Sequence, residues 1–305
     1  MAIVTEDIRE GEVFTGKPKI VSWERIWAFS GGSFSNFGWP KKNIHTDLEF
    51  ARSCGLPHVA ASGTQYQGYV VELLIDLFGL EWLSHGTMDI KFIDIVDAGD
   101  TLVSTVTIRS KESLDIGARL IMDVSCENQN GNKVLVGSAT GGAGTVNLPR
   151  NQPDIAAYEN KGGSDVVERS NLEPLEFTVT PALNQQYLYA VENFSPWYIQ
   201  ETEFGPPIAH PAMLLNMSNA TRSPSYSQPA GRAGFHARDE TFFYNPARLG
   251  KKLRVTWDSI GSYEKRGRPY TVNNILMVDE DGLEILRRLS HSTVASHEHR
   301  KDYDK

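Results

Sequence analysis

The chain has 305 residues, 40% of them hydrophobic and 22% charged, with a formal net charge of −8. That length supports one large domain or two ordinary ones, each with its own core. The acidic balance argues against nucleic acid as the main partner, since a phosphate backbone calls for a basic face, and the longest apolar stretches fall well short of a membrane span.

The opening stretch "MAIVTEDIREGEVFTG" carries four acidic residues before position 13. A signal peptide needs a basic start and an apolar run, so a cytoplasmic protein is expected. Cys54 and Cys126 are expected to be reduced thiols. In "KNIHTDLEFARSCGLPHV" (42–59), His45 opens a short helical pattern, with Thr46 or Asp47 suited to cap it. Next, "ASGTQYQGYVVELLIDLFG" (61–79) places Tyr66, Tyr69, Val70, Leu73, Leu74 and Leu77 at helical spacing, with Ser62 or Thr64 near its start. It is apolar on several faces and should be buried.

Four strand-like runs follow, "TMDIKFIDIV", "DTLVSTVTIRSKE", "ARLIMDVSCENQ" and "KVLVGSATG". They alternate, are rich in β-branched residues, and are separated by the "DAGD" and "NQNGNK" turns. The segment "TGGAGT" (140–145) ends a strand and opens no helix, so it reads as a sheet bend. Residues 151–176 are polar, contain Gly-Gly and lack periodicity; they read as a linker. The second half repeats the layout. "GPPIAHPAMLLNMSNATR" (205–222) starts a helix in which Pro211 suits the first turn. The strands "DETFFYNPA", "KKLRVTWDSIGSYEK", "RPYTVNNILMVDEDG" and "LEILRRLSHSTVAS" come after it, and the end of the chain should fray. The expected organisation is α+β: units 1–150 and 177–305, each an antiparallel sheet wrapped around a long central helix, joined side by side.

"NIHTDLEFARSCGLPHVAASGT" resembles the signature region of the MaoC-like, or R-specific enoyl-CoA hydratase, branch of the hotdog-fold proteins. There a D-x-N-P-x-H stretch precedes a short helix, a Gly-Leu-Pro turn and an Ala-x-Gly helix start. The resemblance implies a double hotdog acting on acyl thioesters of coenzyme A or of a carrier protein, with a second copy as a further partner. It implies that His45 is the acid/base and Gly63 the oxyanion-hole residue. The family asparagine-proline before the histidine is reduced to Asn43, with no proline. The family aspartate falls on Pro40, and "ENFSPWYIQETEFGPPIAHP" carries Asn193 and Tyr198 where a second Asp and His would stand, so neither half has an intact pair.

Hydrating a 2-enoyl thioester needs a group that takes a proton from water and a donor for the enolate oxygen. Imidazole, with an ordinary pKa of about 6.5, suits the first task. A helix-start N–H suits the second, and Gly63 has no side chain to block one. The competing readings are a hydrogen-bonded loop histidine for His45 and a turn glycine for Gly63. Asp47 is either a carboxylate partner for His45 or a helix cap. Ser62, Thr64, Gln65 and Tyr66 surround the helix start as pocket, capping or core residues, and "HARDE" brings His236, Arg238 and Asp239 to the counterpart region in the second half. Arg266, in "YEKRGRPY", is either a coenzyme A phosphate contact or a solvated hairpin tip. His291, His297 and His299 lack metal-ligand spacing on any ordered element, and no phosphate loop, nucleophile elbow or dinucleotide fingerprint occurs; no metal and no cofactor are expected. Three functions stay open: a hydro-lyase, another hotdog enzyme (isomerase, cyclase or elimination catalyst) on an unusual substrate, and a non-catalytic acyl-binding subunit.

Overall fold

The computed structural model describes residues 4–31, 43–144, 146, 148–158, 172–226 and 233–295. The first half contains β1 (Val13–Thr15), β2 (Lys19–Ile20), α1 (Trp23–Ser30), α2 (Leu48–Ser53), α3 (Gly63–Phe78), β3 (Thr87–Phe92), β4 (Thr101–Ser113), β5 (Ala118–Glu127) and β6 (Lys133–Ala143). The second contains β7 (Leu175–Thr178), α4 (Pro181–Val191), α5 (Pro211–Met217), β8 (Ala233–Phe243), β9 (Lys252–Lys265), β10 (Arg268–Asp279) and β11 (Glu284–Ala295).

The strands form one continuous sheet in the order β1-β4-β5-β6-β3-β8-β11-β10-β9-β7, with β2 also on β4. The halves join where β3 pairs antiparallel with β8, Thr87 opposite Phe242 and Lys91 opposite Arg238. β4 shows the alternation of a half-buried strand from Thr101 to Ile108, every second side chain buried. α3 is buried nearly all round, only Gly63, Glu72 and Asp76 escaping, because the sheet covers one side and α5 the other. The two helices touch at Gly68, where an added Cβ would lie 2.4 Å from that of Ala212. Only glycine permits that approach.

Equivalent backbone hydrogen bonds display the internal repeat. Val21 N–H donates to Asp100 O at 2.8 Å, as Val179 N–H does to Lys251 O at 3.0 Å. Ala61 N–H donates to Val96 O and Ala209 N–H to Ala247 O, both at 2.8 Å. Ala60 N–H reaches Ile44 O at 3.3 Å, and Ile208 N–H reaches Trp197 O at 2.9 Å. The last pair sets His45 and Tyr198 in equivalent places, each following the accepting residue.

Several details differ from the sequence reading. The second central helix, α5, has seven residues against sixteen in α3. α1 and α4 went unread; each is capped, by Ser22 and Thr180 respectively, and they pack together with Phe29 edge-on to Tyr187 at 5.2 Å. β8 begins six residues earlier than the expected start at Asp239, which puts His236 on a strand. β7 starts at Leu175, inside the segment read as linker. The described part of that linker lies against the sheet, the Tyr158 hydroxyl donating to Glu240 at 2.6 Å. His291 is within β11 and buried, whereas His297, His299 and the end expected to fray fall outside the described residues, as do Pro40 and residues 159–171 of the linker. Both cysteines are free, and burial raises the Cys126 thiol to about 12. Among the described residues, no helix is long and apolar enough to cross a membrane.

Candidate active site at the start of the central helix

Asn43 builds the turn that carries His45. Its Oδ1 accepts the His45 N–H at 2.8 Å and its Nδ2 donates to Ser30 O at 3.2 Å. Its own carbonyl accepts from Thr46 and Asp47, both at 3.1 Å. The His45 ring then bonds through Nδ1 to Ala60 O at 2.7 Å. A carbonyl only accepts, so Nδ1 carries the hydrogen and Nε2 keeps a lone pair. Burial, assisted by the nearby Arg222 guanidinium and opposed by the Ala60 carbonyl, lowers the His45 pKa to about 4. The ring is therefore neutral at pH 7.

Three residues after Ala60, α3 begins at Gly63. Ser62 holds the N-cap position without making a side-chain cap; its hydroxyl shares a 3.0 Å hydrogen bond with Thr64 Oγ1. Gln65 N–H donates to Ser62 O at 2.8 Å, but the N–H groups of Gly63 and Thr64 have no partner within the helix, and the usual side-chain cap is not in their way. Gly63 is a glycine for a local reason: a Cβ there would stand 2.9 Å from the Phe92 ring. Thr64 Oγ1 also accepts from Asn216 Nδ2 at 3.4 Å and Asn219 Nδ2 at 3.5 Å. Asn216 Oδ1 in turn accepts from Tyr187 at 2.8 Å and from Arg222. Arg222 is 2% exposed, and burial pulls its pKa to about 10. The second half thus supplies a polar wall to the helix start of the first.

The structure redistributes the remaining candidates. Asp47 is the N-cap of α2, its Oδ1 accepting Phe50 N–H at 2.8 Å; the cap, rather than a carboxylate for His45, is where this oxygen is engaged. Tyr66 belongs to the core, edge-on to Phe92 at 5.6 Å. Tyr198 is buried in the counterpart region with its ring 4.7 Å from that of His210. Its electrostatic neighbours, Glu72 and Asp76, lie nine and thirteen residues beyond Gly63 on α3, about 13 to 20 Å along the helix. Tyr198 therefore lines the other end of α3. Arg266 is exposed at the β9–β10 hairpin tip, with φ 54 followed by φ 72 at Gly267. Those values suit a tight hairpin turn, and no described contact joins Arg266 to the α3 site. Arg238 grips Asp89 through Nε and Nη2, at 2.7 and 2.8 Å. His236 lies beside the site, its ring centroid 4.7 Å from that of Phe92.

The wall residues Arg222, Asn216 and Asn219 were not singled out from the sequence. They carry no local motif, and only the packing of α5 on α3 brings them to Thr64.

No protein-family profile matches the sequence, and no curated protein matches it. Solved structures do. A MaoC domain protein dehydratase from Chloroflexus aurantiacus is similar over 96% of this chain and 97% of its own, with TM-score 0.71 and 14% identity. A Mycobacterium tuberculosis protein described as having a double hotdog fold matches over 96% and 99%, with TM-score 0.66 and 11% identity. This chain has the double hotdog fold. The peroxisomal multifunctional enzyme type 2 of Drosophila melanogaster also contains a similar region, 93% of this chain matching 48% of that one at TM-score 0.56 and 14% identity. The double hotdog here is a single sheet with two unequal central helices, and its polar helix-start site lies in the first half.

Proposed function

We propose that this double hotdog is a hydro-lyase, hydrating a 2-enoyl thioester or dehydrating a 3-hydroxyacyl thioester borne by coenzyme A or a carrier protein. One observation carries the reading: a neutral imidazole is fixed through Nδ1 to Ala60, three residues ahead of a helix start that no side chain caps. In the hydration direction, Nε2 of His45 takes a proton from water as its oxygen bonds to the β-carbon. The double-bond electrons move toward the thioester, and the developing oxyanion is held at the Gly63 N–H. Collapse of the enolate adds a proton at the α-carbon and restores the carbonyl. A fixed donor of this kind contributes roughly 3 kcal/mol to the transition state. Ser62 and Thr64 shape the acyl end of the pocket, with Asn43 positioning His45.

The nearness of Arg222 to His45 favours one second reading, an isomerase that enolises its substrate beside a guanidinium without adding water. Exchange of the α-proton in deuterated water, with no hydroxyl gained, marks that case.

The test is crotonyl-CoA hydration followed by loss of the enoyl absorbance. Wild type should turn over, and His45→Gln should lower kcat about 100-fold, within the usual span for acid–base catalysis. Binding of crotonyl-CoA without turnover by wild type would instead make the chain an acyl-binding protein. A cytoplasmic location and pairing of two copies belong to the same proposal; fractionation and sedimentation test them.

A further inference from the structure

The hydro-lyase reading leaves open which group delivers the proton to the α-carbon. His45 receives a proton from water, yet the α-carbon must be given one. His45 starts neutral, with its pKa near 4 and its Nδ1–H engaged by Ala60, and the proton it gains sits at Nε2, on the side where water was held for the β-carbon.

A second imidazole stands beside the same helix start. Phe92 lies against Gly63, and the His236 ring lies against Phe92. His236 and Asp239 are three residues apart on β8, which in a regular strand would put them on opposite faces. The β8–β11 register slips here, His291 pairing with Arg238 but Ser292 with His236. This bulge resets the alternation, and both side chains point to one side. His236 Nε2 lies 3.3 Å from Asp239 Oδ1 and 2.9 Å from Ser290 Oγ.

Asp239 is fully buried and held from several directions. Its Oδ2 accepts from Arg288 Nε at 2.9 Å, Arg288 Nη2 at 2.7 Å and Gln67 Nε2 at 2.9 Å, with Thr241 at 3.3 Å. Gln67 is one helical turn beyond Gly63, so the carboxylate is tied to the same helix. Burial favours its neutral form, but Arg288 and then His236 hold the carboxyl well below the ordinary range. It is a fixed anion whose Oδ1 faces the imidazole. The His236 side chain retains 18% exposure while those of Asp239 and Arg288 have none. The histidine is the member of the cluster that reaches open space.

We infer that His236, backed by Asp239, is the proton donor to the substrate α-carbon, a His–Asp pair contributed by the second half in place of the aspartate missing beside His45. The inference rests on the hydro-lyase reading. In hydration the imidazolium of His236 gives its Nδ1 proton to the α-carbon as the enolate collapses, and His45 holds the proton taken from water. One proton is lost from His236 and one gained by His45, so charge balances, and exchange with solvent resets the pair. Dehydration runs the same transfers backwards. Two imidazoles in different settings divide the acid and base roles: burial lowers the pKa of both, Arg222 adding to the shift at His45, whereas at His236 the Asp239 carboxylate opposes burial, Arg288 and His291.

The test is the pH profile of crotonyl-CoA hydration by wild type, His236→Gln and Asp239→Asn. His236→Gln should lower kcat about 100-fold with KM within threefold, and its alkaline limb should vanish. Asp239→Asn removes the charge that favours the imidazolium, so its alkaline limb should move to lower pH. If His236→Gln keeps the wild-type kcat and both limbs while His45→Gln is inactive, this inference is overturned and the hydro-lyase reading stands. If wild type hydrates no enoyl thioester, the hydro-lyase reading falls and the donor role falls with it. Should the variants fail to fold, wild type decides: the His236 ring nitrogen resonances should shift on adding butyryl-CoA, a saturated and unreactive acyl thioester, and unmoved resonances would refute the role.

Discussion

The starts of α3 and α5 occupy equivalent places in the two halves, and their chemistry is opposite. At α3 the first helical residue is Gly63, the N-cap side chain makes no cap, and the His45 ring is held at the Ala60 carbonyl. At α5 the first helical residue is Pro211, which has no N–H, and His210 Nδ1 accepts the next amide, from Ala212, at 3.1 Å. Tyr198 fills the position equivalent to that of His45 and lies on His210. One helix start keeps its first donors clear of any side-chain cap, and the other has lost or satisfied them. The same backbone repeat thus gives one uncapped helix start and one closed polar core, and the difference resides in a few side chains.

That contrast can be broken most severely at the amide itself. Gly63→Pro removes the donor while keeping a residue suited to a helix start, and kcat should drop about 10³-fold, at the upper end for an oxyanion donor. Gly63→Ala is the control. It retains the N–H and forces Phe92 to shift, so the loss should stay within about tenfold. Pro211→Ala at the other start should leave turnover unchanged. Smaller is the comparison of position 45 with its counterpart, where His45→Gln should cost about 100-fold in kcat and Tyr198→Phe less than about twofold.

A third contrast is shared rather than opposed. Burial lowers His45 to about 4 and His210 to about 3. Between pH 6.5 and those values the unfolded chain binds protons that the folded one does not, so stability falls as pH falls. From pH 7 to pH 5 each histidine should remove about 2 kcal/mol. Denaturant titrations should show His45→Gln and His210→Gln each reducing that slope. The smallest expected effect is at the hairpin tip: Arg266→Ala should leave KM within about twofold, and a larger rise would return the phosphate role to this residue.

Much of the scaffold was legible because its signals are local. The apolar spacing of Tyr66 to Leu77, the alternation in β4 and β5, Asn-Gly at 130–131 and Pro211 each act within a few residues. His45 and Gly63 were legible through a motif contained in one short stretch. Arg222 and Asn216 were not, because their relation to Thr64 exists only after Gly68 lets α3 meet Ala212. The His236–Asp239 pairing depends on a bulge, and a bulge is set by the neighbouring strand β11 rather than by the sequence of β8 alone. Arg266 is the converse case: a cluster of cations suggests a phosphate, yet the same stretch also read as a solvated hairpin tip, where the structure places it in a turn at positive φ.

The most direct test of the central claim is nuclear magnetic resonance of the backbone amides during titration with butyryl-CoA. The account predicts that the largest shifts fall on Gly63 and Thr64, with His45 moving and Ala212 still. Shifts centred on Ala212 and its neighbours, with Gly63 unmoved, would contradict it.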